Sequence, residues 1–234
     1  MEKQIVETKY GDYTISIMYD DDAPNPRTDW EPFGKMICFH RRYNLGDKHN
    51  YLDPDDFLFN LSNWDEDKDG EFNAVKAQEK INKDNVMLPL FLYDHSGITM
   101  STSPFGDRWD SGQVGWIYAS KNEICENWCV SDWNDMIGGS ENGEDISAKQ
   151  RAKSLLKAEV ETYDEFLTGR VYRFQVIDPD GEQIDSCSAY FGDHETSGLL
   201  DDANAAIDND VERKDAQEAE DLHKAGCLVY SERV

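Results

Sequence analysis

Apolar residues alternate with polar ones at Tyr13, Ile15 and Ile17, so the run from Gln4 to Tyr19, broken at Gly11-Asp12, predicts a β-hairpin. The acidic stretch from Asp20 to Pro26 contains two prolines and cannot continue a strand. It reads as an exposed loop before a strand at Lys35 to His40. Asp53 followed by Pro54 has the form of an N-cap with proline at the first helical position, opening a short helix through Phe57, Leu58 and Leu61. A second helix is predicted from Phe72 to Asn82. Met87 to Tyr93 and Val114 to Ala119 are continuous apolar runs of strand length, which predicts buried strands. Between them Asp94 to Gly112, rich in Gly, Ser and Thr, reads as mostly turn or loop. Ser120 with Glu123 three residues on has capping-box spacing before Ile124 and Trp128.

The strongest helical pattern runs from Ile146 to Leu167. Ala152, Leu155, Leu156, Val160, Tyr163, Phe166 and Leu167 recur at three- and four-residue spacings, and Gly169 supplies a stop. Tyr172, Phe174 and Val176 then share a strand face, Asp178-Pro179-Asp180-Gly181 is a turn, and Ile184 to Phe191 returns as a second hairpin. Leu199 to Lys224 is acidic and helical in propensity, with Gly226 as its expected end before an apolar tail, Cys227 to Tyr230. No repeat and no Gly-, Ser- or Pro-rich linker divides the chain. The reading is an α+β fold with a mixed or antiparallel sheet and packed helices. Residues 1–198 form its α+β domain, and residues 199–234 an acidic helical extension packed on the same domain.

Charge changes this picture most. In 234 residues, 49 acidic side chains stand against 23 basic ones, a net charge of −26. Direct nucleic-acid binding draws its affinity from Lys and Arg, and anionic membranes repel such a chain, so neither is expected as a partner. No apolar run approaches a membrane span, and no targeting signal opens the chain. Five cysteines, odd in number and unevenly spaced, suit a reducing compartment, and the expected location is the cytoplasm.

Four patterns invite a chemical reading. Asp65, Asp67, Asp69 and Gly70 match the first half of a calcium loop, but Lys76 stands where the closing bidentate Glu belongs, so a solvated acidic turn is expected. Cys125 and Cys129 have no second ligand pair and read as core residues of a helix. Asp94-His95-Ser96-Gly97, Asp110-Ser111-Gly112 and the hydroxyls Thr99, Ser101, Thr102 and Ser103 offer parts of a hydrolase, yet no Gly-x-Ser-x-Gly elbow is present. Neither Gly-x-Gly-x-x-Gly nor a P-loop occurs. No catalytic residue, metal or cofactor is therefore assigned.

Pro89 to Phe105, Trp109 to Tyr118, Glu159 to Gly169 and Asp185 to Cys187 resemble a group of uncharacterised acidic proteins of phages and mobile elements, mainly over residues 87–191. The resemblance implies a role inside a bacterial host and carries over no site residue. From Asp178 to His223 ten Asp and five Glu face only Arg213 and Lys214, whereas Ala148 to Lys157 gathers Lys149, Arg151, Lys153 and Lys157. At one charge per roughly 1.7 Å of duplex, 26 charges match about 44 Å of DNA. A compact chain of this length is about 45 Å across. Asp outnumbers Glu by 30 to 19, and the shorter side chain has fewer rotamers to freeze. Charge and resemblance together suggest a nucleic-acid mimic that inhibits a host DNA- or RNA-binding defence enzyme. Asp201, Asp202, Asp208, Asp210, Glu218 and Asp221 would enter that partner's basic groove. The alternatives are a non-catalytic phage binding or structural protein whose acidic surface serves solubility, and a hydrolase using the 94–112 loop.

Overall fold

The computed structural model describes residues 4–107, 109–138 and 145–231. In chain order the elements are β1 (Gln4–Tyr10), β2 (Tyr13–Tyr19), β3 (Lys35–Cys38), α1 (Pro54–Leu61), α2 (Glu66–Asp69), α3 (Ala74–Ile81), β4 (Asn85–Asp94) and β5 (Ile98–Ser101). They continue with β6 (Ser111–Ser120), α4 (Lys121–Asn127), β7 (Met136–Ile137), β8 (Ile146–Ser147), α5 (Ala148–Thr168), β9 (Val171–Ile177), β10 (Gln183–Phe191) and α6 (Leu199–Ser231). The fold is α+β, and every strand pairing in it is antiparallel. The chain forms two compact units, a terminal one of residues 1–23 and 169–234 and a central one of residues 24–168. The division therefore falls at 23/24 and 168/169, while the helix after residue 198 belongs with the sheet of the terminal unit.

In the terminal unit the strands run in the order β1-β2-β9-β10. The period-two positions of β2 meet those of β9 directly, Ile15 opposite Val176 and Ile17 opposite Phe174. With Tyr13 and Tyr172 they form one apolar face, on which Leu199, Ala203 and Ile207 of α6 are buried. Cross-strand pairs of this kind fix register, because a slip of one residue would turn the apolar set outward. The expected hairpins at Gly11-Asp12 and Asp178–Gly181 are present. β10 is irregular, with a register shift between Cys187 and Tyr190 and Ala189 at φ 65°.

In the central unit the order is β3-β6-β4-β5. Val86, Leu88, Leu90 and Leu92 of β4 pack against Ala148, Ala152, Leu156, Val160 and Tyr163 of α5 on one face. On the other, Ile37, Trp116 and Tyr118 meet Phe57 and Leu58 of α1 and Ala77 and Ile81 of α3. β6 is thus covered on both faces, which is why Val114 to Ala119 reads as one apolar run. Asp53 caps α1 by accepting from the Asp56 N–H, and Ser120 with Glu123 forms the capping box of α4.

The structure refines one sequence expectation, the mostly-loop 94–112 segment, and corrects two. The 94–112 loop contains β5, held by pairing with β4 and by Asp164 accepting from the Met100 N–H at 2.6 Å. Its four residues are too few to show a period. The acidic turn at 65–70 closes into α2, because Asp65 accepts from the Asp67 N–H and Gly70, at φ 79°, ends the turn. Gly226 does not end the last helix, which continues to Ser231.

One polar contact network pins the 24–34 loop. Arg27, whose side chain is 1% exposed, donates Nε and Nη2 to Asp47 at 2.9 and 2.8 Å, and Nη1 to Glu159 at 3.0 Å. Nη2 also reaches the Gly34 carbonyl at 2.6 Å. Asp47 in turn accepts from the Met36 N–H, and Glu159 from those of Phe33 and Gly34. Arg27→Ala should leave two carboxylates without their cation and cost about 3–5 kcal/mol. Arg27→Lys should recover less than half of that, since an ammonium cannot span Asp47 with two parallel bonds. Urea denaturation measures both, and an Arg27→Ala midpoint equal to the parent's would show that the network is not structural.

Candidate functional site

Beyond its apolar contacts with the sheet, the acidic C-terminal helix is anchored by an ion cluster built around the buried Asp210. Tyr13 Oη donates to Asp210 Oδ2 at 2.8 Å, and Lys214 Nζ lies 3.0 Å from the same oxygen and 2.9 Å from Asp178 Oδ2. Arg213 pairs with Asp210 Oδ1. Asp178 also closes its own turn by accepting from the Asp180 and Glu182 N–H groups. Burial alone would raise the Asp210 carboxyl. The hydrogen bond from Tyr13, with Lys214 and Arg213, outweighs that and brings it from 3.8 to about 2. Hydrogen bonds to Asp178 and Asp210 raise the Lys214 ammonium above its ordinary value. From Val211 to Lys224 every side chain is exposed, so Asp210 is the last point at which the described part of α6 is buried.

A helix turns about 100° per residue. Leu199, Ala203, Ile207 and Asp210 then share the buried face, and Asp201, Asp208, Glu212 and Asp215 fall on the opposite one. All four of these carboxylates are exposed. None of them has a cationic partner among the described residues. The two cations at the middle of the helix, Arg213 and Lys214, are turned to the other side and taken up by Asp210 and Asp178. The stripe spans about 21 Å with a mean spacing of about 7 Å between charges, roughly twice the 3.4 Å between phosphates along one strand of B-DNA.

The six expected contact residues are therefore divided. Asp201 and Asp208 lie on the outer stripe, and the latter raises the Tyr10 hydroxyl by its charge and hydrogen bond. Asp202 is to one side, accepting from Tyr190 Oη at 2.7 Å. Glu218 and Asp221 are exposed on other faces, Asp221 accepting from Gln217 Nε2. Asp210 is 5% exposed and belongs to the core, so it is removed from the contact set. Glu212 and Asp215 were missed, although the spacing 201, 208, 212, 215 is a one-face helical period legible in the sequence. The terminal unit as a whole has 22 acidic and 8 basic side chains in 89 residues, against 27 and 15 in the 145 of the central unit.

The central unit contains the other motifs. In the calcium-like segment Asp69 pairs with Lys80 at 2.6 Å and Asp65 with Lys68, and hydrogen bonding to Lys80 lowers the Asp69 carboxyl. No group of three metal-ligating side chains occurs among the described residues. Cys125 packs against the core, but Cys129 lies beyond the end of α4, exposed and at φ 53°, so the pair is not one core face. Near the loop hydroxyls His95 Nδ1 lies 2.9 Å from Asp110 Oδ2, both exposed. Ser111 Oγ donates to the Asp107 carbonyl, and Asp94 is bonded to Arg42 and Tyr43.

Beside this loop is a cleft of about 490 Å³ lined by Phe39, His40, Arg41, Arg42, Asp94 and Trp109 among others. Its basic run carries no motif that points to a site in the sequence, although Arg41-Arg42 is the only adjacent arginine pair in the chain. Comparison with family models, with curated proteins and with solved structures finds no match.

Asp210 has a depressed folded-state pKa, so its contribution to stability is complete above pH about 4 and is lost as pH falls toward 2. Asp210→Asn should lower the melting temperature at pH 7 by about 5 °C or more. The gap to the parent should close between pH 4 and 2. A gap independent of pH would mean that the carboxylate charge is not what anchors the helix. Calcium titration by calorimetry should give no micromolar binding, since lysines already occupy Asp65 and Asp69.

Proposed function

We propose that this protein is an acidic nucleic-acid mimic, made by a phage or mobile element, that occupies the basic groove of a host DNA- or RNA-binding enzyme and inhibits it. The observation that supports the reading is the outer stripe of α6. Asp201, Asp208, Glu212 and Asp215 are exposed, aligned on one face and unneutralised, while the neighbouring cations are directed to the opposite side. A groove that contacts phosphates through Lys and Arg recognises such a row by the same Coulombic attraction. Because the backbone of a helix fixes the row, little conformational entropy is lost on binding beyond that of four side chains.

The test begins with a pull-down from bacterial lysate eluted by a salt step, followed by a gel-shift competition between the captured enzyme and its nucleic acid. The protein should displace nucleic acid, and less effectively at higher salt, because exposed charges are screened over about 8 Å at physiological ionic strength. The variant Asp201→Asn, Asp208→Asn, Glu212→Gln, Asp215→Asn should keep its melting temperature and lose at least about tenfold in affinity, most of it in association rate. Neutralising Lys149, Arg151, Lys153 and Lys157 on α5 should have little effect. Unaltered inhibition by the quadruple variant, or a ternary complex that retains the nucleic acid, would overturn the proposal.

A further inference from the structure

We infer that the cleft at the open end of the central sheet is a binding site for a nucleotide-class ligand, a planar aromatic ring carrying a phosphate. The cleft arises from strand topology. The Phe39 N–H donates to the Val114 carbonyl at 2.7 Å, and beyond that rung the chain leaves β6 and turns back through residues 40–43. Ser111, Gly112 and Gln113 then pair only with β4, opposite Tyr93, Leu92 and Phe91, and their other edge faces the cleft. Nothing lies within 4 Å of where a Cβ on Gly112 would sit, so the strand is open there. The volume of about 490 Å³ falls in the range of small-ligand sites.

The turn gathers donors. His40 Nδ1 accepts from the N–H groups of Arg42 and Tyr43 at 3.4 and 3.2 Å, and its ring stacks on Tyr43 with centroids 5.0 Å apart. A neutral imidazole that accepts at Nδ1 carries its proton on Nε2, which makes His40 a donor. Arg42 is paired with Asp94 and lies over the Tyr43 ring, 5.4 Å from its centroid. Arg41 has no partner among the described residues, and in a chain of net charge −26 a guanidinium without a carboxylate is uncommon. The two acids in the cleft are already engaged, Asp94 by Arg42 and Asp110 by His95. A phosphate therefore meets one free guanidinium, a second shared one and an imidazole N–H.

Trp109, which lines the same cleft, supplies the stacking surface. It is 95% exposed, the most exposed of the large apolar side chains among the described residues. Indole is the best side-chain platform for a planar base, and such stacking contributes about 1–3 kcal/mol per base. A phosphate alone would leave Trp109 unused, and an uncharged ring would leave Arg41 without an anion. A ligand with both parts engages both groups.

Isothermal titration of the full chain with adenosine 5′-monophosphate tests this, with adenosine and inorganic phosphate as separate arms. AMP should bind with a dissociation constant below about 1 mM, and each fragment at least about tenfold more weakly. Arg41→Ala and Trp109→Ala should each weaken AMP binding at least about fivefold without moving the melting temperature, both side chains being exposed. The proposal is overturned if AMP gives no binding up to several millimolar, if phosphate binds as tightly as AMP, or if both variants bind like the parent. The quadruple α6 variant should bind AMP normally, so failure here and failure of the mimic reading are separable.

Discussion

Everything distinctive about the terminal unit depends on where Asp210 sends its charge. A carboxylate this far inside a protein is costly unless it is paired and hydrogen-bonded, and Asp210 meets that demand with Tyr13, Arg213 and Lys214. Lys214 bridges onward to Asp178, which ties the helix to the β9–β10 turn. The same contacts strip the helix of its mid-length cations, so Asp201, Asp208, Glu212 and Asp215 face solvent with no compensating charge. Anchoring and surface potential are therefore one event. An isolated acidic helix would form i,i+3 and i,i+4 ion pairs along its outer surface, but here the mid-helix pairs of Arg213 and Lys214 converge on the buried Asp210.

The excess of Asp over Glu has a different cause from the one that composition suggests. Asp29, Asp53, Asp56, Asp107, Asp132, Asp135, Asp178 and Asp193 each accept a backbone N–H from a residue within four positions. A short side chain reaches its own local backbone, which a Glu does less well, so loops and helix starts select Asp. Glu123 and Glu159 accept backbone N–H groups too, in a capping box and from a loop distant in sequence. Much of the aspartate content is turn chemistry, and only the carboxylates outside such bonds are free for a partner.

How much of this was legible depends on the range of the interaction. Hairpins, caps and the α5 stripe rest on residues within a turn or two of one another, so Tyr13-Ile15-Ile17, Asp53-Pro54 and Ser120-Glu123 announce themselves. β5 does not, because four residues show no period and its hold on the sheet comes from β4 and from Asp164, 64 positions after Met100. Nor does the interior position of Asp210, whose partner Tyr13 is 197 residues away and whose other partner, Lys214, is shared with Asp178 on a different element. The shared cleft of His40, Arg41, Arg42 and Trp109 is equally nonlocal, since it needs β3 to stop short of the end of β6.

The central claim is that the outer face of α6 is the surface by which this protein meets its partner. Hydrogen-exchange mass spectrometry of the protein, free and in complex with the enzyme captured from lysate, reads that face directly. Protection confined to peptides spanning 199–218, and diminishing in step with added salt, is the predicted result. A complex that protects the central unit while leaving 199–218 to exchange as in the free protein would contradict it.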